Sequence, residues 1–105
     1  MTSTKRATPE ELGLLYRALA FVSNEQDVAS LLEDMCTISE IDEMAQRLTV
    51  ARMLANEHSY TSISEATGAS ATTIARVSKS LNYGAGGYRL VLSPEVGTAD
   101  ENGRN

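Results

Sequence analysis

Hydrophobic residues recur every three or four positions over the first half of the chain, which is the spacing that places them on one face of an α-helix. Three such runs occur: Leu12, Leu15, Tyr16, Leu19 and Val22; Val28, Leu31, Leu32 and Met35; and Ile41, Met44, Ala45, Leu48, Ala51 and Leu54. Each run follows a helix-start signal, namely Thr8 with Pro9 and Glu11, Ser23 with Gln26, and Thr37 with Glu40. A hydroxyl cap followed three residues later by Glu or Gln is typical of a helix N-terminus. With little strand-like alternation, the sequence predicts an all-α fold.

The segment from Ser59 to Leu81 has the spacing of a helix-turn-helix. Gly68 can adopt a positive φ without a Cβ clash, and Ser70 offers an N-cap oxygen to the helix that follows. Ser64 is small, which allows the two helices to cross closely. The apolar side that holds them together is predicted to consist of Ile63, Ile74 and Val77. Thr67 departs from the pattern, because it stands where an apolar residue is expected.

The outward residues of the second helix are the candidate DNA contacts. Recognition helices present their N-terminal residues to base edges in the major groove. The residues predicted to face the bases are Ser70, Ala71, Thr72, Thr73 and Arg76. Hydroxyls can bond to bases or phosphate, Ala and Thr methyls can touch thymine methyls, and a guanidinium can bind guanine through two hydrogen bonds. Lys79, Ser80, Ser59 and Tyr60 suit phosphate. A plain helical hairpin would show the same turn signals.

The remaining segments surround one predicted helical domain, residues 8–92. Residues 1–7 are polar and basic, and are expected to form a mobile arm. The Gly-rich link at 82–88 should end the recognition helix, and residues 88–92 are expected to form a last helix that closes the core. Residues 93–105 turn polar, and we expect a disordered tail there.

Charge is distributed unevenly along the chain, whose formal net charge is −5. Residues 9–45 carry nine acidic residues and one basic residue, whereas residues 46–90 carry five basic and two acidic residues. DNA would feel the local positive field of the second half more than the distant acidic half. The alternative function is a protein-interaction module that uses the acidic N-terminal helices, with a purely structural helix-turn-helix.

Enzyme chemistry has little support in this sequence. Cys36 and His58 are the only residues of their types, so no zinc set can be assembled from them. His58 lies in a polar turn, and Glu40, Asp42 and Glu43 fit the solvated face of a helix. We therefore expect neither a catalytic site nor a metal site. The sequence has no secretory or membrane-spanning run, which predicts a cytoplasmic protein without membrane association.

Two segments resemble the Trp-repressor superfamily, and within it the small bacterial YerC/YecD-type branch. They are CTISEIDEMAQRLTVARML, residues 36–54, and GASATTIARVSKSLNYGAGGY, residues 68–88. The resemblance covers most of residues 8–92. It implies an intertwined homodimer that binds double-stranded operator DNA through the helix-turn-helix, as a repressor.

The resemblance also bears on a small-molecule effector. In the Trp repressor, tryptophan is contacted by a Thr and two Arg residues, and these places correspond to Thr37, Arg47 and Arg76. Thr37 also suits an N-cap, and Arg47 also suits a phosphate contact or a solvated charge. Val77 stands where the Trp repressor has a Gly beside the indole, and its side chain would fill that space. L-tryptophan, another effector and no effector are the three alternatives, and we expect that none is required.

Overall fold

The protein is all-helical in its computed structural model, which describes residues 5–92. Six α-helices and no strand occur within these residues, as the sequence predicts. The helices are α1 (Pro9–Phe21), α2 (Glu25–Met35), α3 (Ile38–Ala55), α4 (Tyr60–Thr67), α5 (Ala71–Tyr83) and α6 (Gly87–Val91). The predicted tail, residues 93–105, and the first four residues of the predicted arm lie outside the described residues. Among residues 5–92, no helix has both the length and the apolar character needed to cross a membrane.

The chain divides into two units, Met1–Ile41 and Asp42–Asn105. In the first unit, α1 begins with the predicted capping box. The Thr8 hydroxyl accepts a hydrogen bond from the backbone N–H of Glu11 at 3.1 Å, and the Glu11 carboxylate accepts one from the N–H of Thr8 at 2.9 Å. These bonds satisfy two donors that helix formation leaves without intrahelical partners.

The predicted start of α2 is wrong by one residue. The N-cap is Asn24 rather than Ser23, and its Oδ1 accepts the backbone N–H of Asp27 at 2.9 Å. The Asn24 amide also donates to the Asp27 carboxylate at 2.9 Å, a contact that a Ser23–Gln26 pair would not make. Asn caps as well as Ser does, so the local sequence permits both starts. The predicted Thr37–Glu40 box before α3 is confirmed, with bonds of 2.9 and 3.1 Å.

The apolar faces of α1 and α2 are only partly covered within the described chain. Neither helix contains a buried residue, and Leu19 and Met35 are 40% and 52% exposed. An open apolar groove lies in this unit, lined chiefly by Val22, Val28, Ala29, Leu32 and Ile41. Large exposed apolar surfaces of this kind mark interaction sites in soluble proteins.

The buried core lies in the second unit. Its buried members are Val50, Ala51, Ile63, Ala69, Ile74, Val77 and Leu81. The prediction that Leu48 faces inward is wrong, because its side chain is 42% exposed. Val50 is fully buried instead, beside Ala51, which belongs to the predicted apolar face and is also fully buried. Tyr88 and Leu92, at α6, pack against the core, as expected of a helix that closes it.

Candidate nucleic-acid interface

Helices α4 and α5 form the predicted helix-turn-helix around Gly68. This residue ends α4 with a φ of +77°, and its N–H donates to the carbonyl of Ser64 at 2.8 Å. Ser70 then caps α5 by accepting the N–H of Thr73 at 3.1 Å. The Ser64 hydroxyl donates to the carbonyl of Ala69 at 3.0 Å. Ser64 therefore holds the turn by a hydrogen bond, in addition to being small enough for the helices to cross closely.

Thr67 has a structural reason to interrupt the apolar pattern. Its hydroxyl donates to the carbonyl of Ile63 at 2.7 Å and accepts the N–H of Ala69 at 3.1 Å. Its carbonyl accepts a bond of 3.1 Å from the Gln46 side chain on α3. The backbone polar groups of a partly buried turn need hydrogen-bond partners, and Thr67 takes part in three such bonds here. This contact also joins the turn to α3.

The inward face of α5 is fixed in the core. Ile74 is fully buried, and Val77 and Leu81 are 2% and 6% exposed. From α4, Ile63 is also fully buried, which confirms the predicted contact side of the pair. Since Val77 packs within the core cluster, its side chain is part of the packing that holds α5.

The outward face of α5 exposes most of the candidate DNA contacts. Ala71, Thr72, Arg76, Lys79 and Ser80 are all exposed. Ala75 is exposed beside them and is absent from the predicted contacts, although its spacing from Ala71 and Thr72 places it on their face.

The hydroxyls of Ser70 and Thr73 are bonded to each other. The Ser70 hydroxyl donates to the Thr73 hydroxyl at 3.1 Å while it accepts the Thr73 backbone N–H. Thr73 is half-buried. These hydrogen bonds hold the first turn of α5 together, so the start of the helix is ordered by its own side chains.

The first helix of the motif contributes Ser59 and Tyr60. Ser59 caps α4 by accepting the N–H of Ser62 at 3.1 Å, so its hydroxyl already serves the helix. Tyr60 is 44% exposed at the start of α4. Its phenol and the first backbone N–H groups of α4 are the groups at this end that suit a phosphate.

The residues that the resemblance assigned to an effector have different surroundings. Thr37 belongs to the first unit and forms the capping box with Glu40. Arg47 is half-buried on α3, and Arg76 is exposed on α5. Across the described residues, no group of three or more His, Cys, Asp or Glu residues could hold a metal ion.

Comparisons with known proteins agree with this geometry. The family model of the Trp repressor protein matches residues 10–95. The uncharacterized protein YerC of Bacillus subtilis is 41% identical over 83 residues, which cover 79% of this chain and 80% of YerC. The crystal structure of a candidate Trp repressor from Staphylococcus aureus superposes with a TM-score of 0.76 at 34% identity, covering 81% of this chain and 85% of that one. A TrpR-like protein from Eubacterium eligens gives 0.75 at 41% identity, with coverages of 78% and 84%. The chain belongs to the Trp repressor family.

Proposed function

We propose that the protein is a sequence-specific transcriptional repressor that reads the major groove of double-stranded DNA with α5. The observation that carries this proposal is the division of α5 into two faces. One face is buried with Ile74 and Val77, and the opposite face exposes Arg76 and Lys79. A recognition helix needs this combination, because its inner face must hold the tilt while its outer face meets the bases. Family membership supports the same function, and a DNA target implies a cytoplasmic protein in bacteria.

The base contacts follow from which groups of α5 are free to make them. Ser70 and Thr73 use their hydroxyls within the cap. The exposed groups beside them are the methyls of Ala71, Thr72 and Ala75 and the guanidinium of Arg76. Methyls recognise thymine by apolar contact, and a guanidinium recognises guanine by two hydrogen bonds. We therefore expect each half-site to contain thymines, which the methyl groups contact, and a guanine, which Arg76 contacts.

The role of α5 can be tested by measuring affinity at several salt concentrations for a DNA duplex that the protein selects from genomic DNA. Lys79→Ala should weaken binding uniformly and reduce the slope of log affinity against log salt by about 0.9 for each phosphate that the variant no longer neutralises. Arg76→Ala should relax base preference at one position. Arg17→Ala removes the same charge from α1 and serves as the matched control, which should bind like the wild type. Wild-type affinity and slope in both α5 variants would contradict the assignment.

We propose a homodimer, because α1 and α2 have no buried residues in the described chain. A second copy would cover the apolar groove at Val28 and Leu32 and bring two α5 helices to two half-sites. Leu32→Asp should shift the sedimentation mass toward the monomer, whereas Ser30→Asp, at an exposed position of the same helix, should not. A wild-type monomer at micromolar concentration would contradict this proposal.

We propose that DNA binding requires no small-molecule corepressor. Val77 is 2% exposed, and its side chain packs within the core cluster, where it occupies the space that an indole would need. Calorimetry with millimolar L-tryptophan should give no binding heat, and the DNA affinity should stay unchanged. Binding heat together with a rise in DNA affinity would overturn this part of the proposal.

A further inference from the structure

Helix α5 ends in a turn that only glycine can close. The N–H of Gly84 donates to the carbonyl of Ser80 at 2.9 Å. A Cβ atom at Gly84 would approach that same carbonyl oxygen to 2.4 Å, a distance that requires the backbone to move. Gly86 follows as the N-cap of α6, with a φ of +92°. The chain therefore turns sharply from α5 into α6 at a fixed place.

Helix α6 returns from this turn onto the core and onto the last turn of α5. Tyr88 and Leu92 pack against the core cluster, which includes Val77 of α5. The Arg89 guanidinium donates to the Asn82 side-chain oxygen at 3.0 Å, which links α6 directly to α5. The Asn82 amide donates to the carbonyl of Ser78 at 3.0 Å, so its own helix orients it toward Arg89. A cation at this helix end also complements the carbonyl dipoles there.

We propose that α6 fixes the direction of α5, and that Arg89 and Asn82 are positioning residues for DNA binding. The proposal rests on the function proposed above. The start of α5 is held by the turn, its middle by Ile74 and Val77, and its last turn by the buried Leu81 together with the link to α6. A helix ordered before it meets DNA avoids the entropy cost of ordering during binding. In this protein, the order would come from α6 rather than from a bound effector.

A double-mutant cycle separates positioning from direct DNA contact. Asn82→Ala removes the link without changing charge, and it should lower operator affinity about three- to tenfold, the range that loss of one such hydrogen bond gives. Arg89→Ala should cause a similar loss, and the double variant should lose no more than either single variant. The salt slope of Asn82→Ala should stay at the wild-type value. Wild-type affinity in Asn82→Ala, with a lower affinity and slope in Arg89→Ala, would make Arg89 a phosphate contact and overturn the proposal.

Hydrogen exchange measures the same link without DNA. Backbone amides in the last turns of α5 should exchange faster in Asn82→Ala and in Arg89→Ala, while amides of α4 keep their wild-type protection. Unchanged exchange in α5 would refute positioning by α6, whatever the DNA affinities are. Failure of the wild type to bind any duplex, with faster exchange in the variants, would instead contradict only the proposed function and leave α6 as the support of α5.

Two glycines provide a matched pair of variants for the turn. Gly84→Ala forces a Cβ against the Ser80 carbonyl, whereas a Cβ at Gly87 meets nothing within 4 Å. We expect Gly84→Ala to displace α6, to speed exchange at the end of α5 and to lower operator affinity by more than Asn82→Ala does. Gly87→Ala should bind like the wild type. Wild-type affinity in both glycine variants would mean that the position of α6 does not matter for DNA binding.

Discussion

Thr67→Val is the substitution in which the sequence pattern and the structure predict opposite results. The helix-turn-helix pattern expects an apolar residue there, so the pattern alone predicts a gain in stability. In the structure, the Thr67 hydroxyl accepts the N–H of Ala69, a residue that is 3% exposed. Val has the same shape and no hydroxyl, so the substitution would leave that buried donor without its acceptor. Such a donor costs about 1–3 kcal/mol.

The expected net effect of Thr67→Val is a loss of about 1–2 kcal/mol in the free energy of unfolding, because a half-buried methyl offsets part of the cost. For a domain of this size, that loss lowers the Tm by about 4–8 °C per kcal/mol. Thermal unfolding followed by circular dichroism at one fixed protein concentration measures it, since assembly makes the Tm concentration-dependent. Thr61→Val, at an exposed position of the same helix, controls for the change in helix propensity and should shift stability by less than about 0.5 kcal/mol. A Thr67→Val protein as stable as the wild type would refute the reasoning.

Four further predictions concern the turns, the core and the DNA. Gly68 has a φ of +77°, and a Cβ there would meet nothing within 4 Å, so Gly68→Ala should cost about 1–2 kcal/mol from backbone strain alone, measured by urea unfolding. Glu57 adopts a φ of +67°, and Glu57→Gly should therefore raise the Tm; a fall would show that its side chain offsets the strain. Ile74→Ala should cost about 2–5 kcal/mol, because Ile74 is fully buried, and a smaller loss would mean that the core collapses around the cavity. Replacing operator thymines with uracil should weaken binding at the positions that meet Ala71 and Ala75, and unchanged affinity at every thymine would contradict methyl readout.

The parts of the fold that the sequence predicts well are those specified locally. The capping box at Thr8, the left-handed turn at Gly68 and the cap at Ser70 depend on neighbours within a few residues. Each such signal combines a residue type with a backbone geometry that few other types allow. These signals suffice to predict the helix-turn-helix and its buried side.

The parts that the sequence predicts poorly depend on contacts between distant segments. Which apolar residues of α3 are buried depends on the face of α3 against which α4 and α5 pack. Val50 is buried there, whereas Leu48 is exposed. Helical spacing alone permits both faces, because α3 carries apolar residues around much of its circumference. Likewise, the Gln46 side chain that donates to the backbone carbonyl of Thr67 lies 21 residues earlier in the chain.

The candidate site could be predicted only in part. Residue types and spacing identify Arg76 and Lys79 as outward cations, and both are exposed. The mutual bonding of Ser70 and Thr73 depends on the cap geometry, and the link between Arg89 and Asn82 depends on the return of α6. The DNA contacts themselves remain predictions, since the tilt of a recognition helix in the groove depends on the whole protein.

Selection of genomic DNA fragments by the purified protein, with Arg76→Ala in parallel at near-physiological salt, tests the central claim most directly. We predict that the wild type enriches a two-fold-symmetric site with thymines and a guanine in each half, and that the sites enriched by Arg76→Ala lose the preference for that guanine. Equal enrichment by both proteins would contradict the role of Arg76 in α5. Absence of any enriched site, with or without added tryptophan, would contradict the proposed repressor function and would direct attention to the acidic helices α1 and α2 as a protein-binding surface.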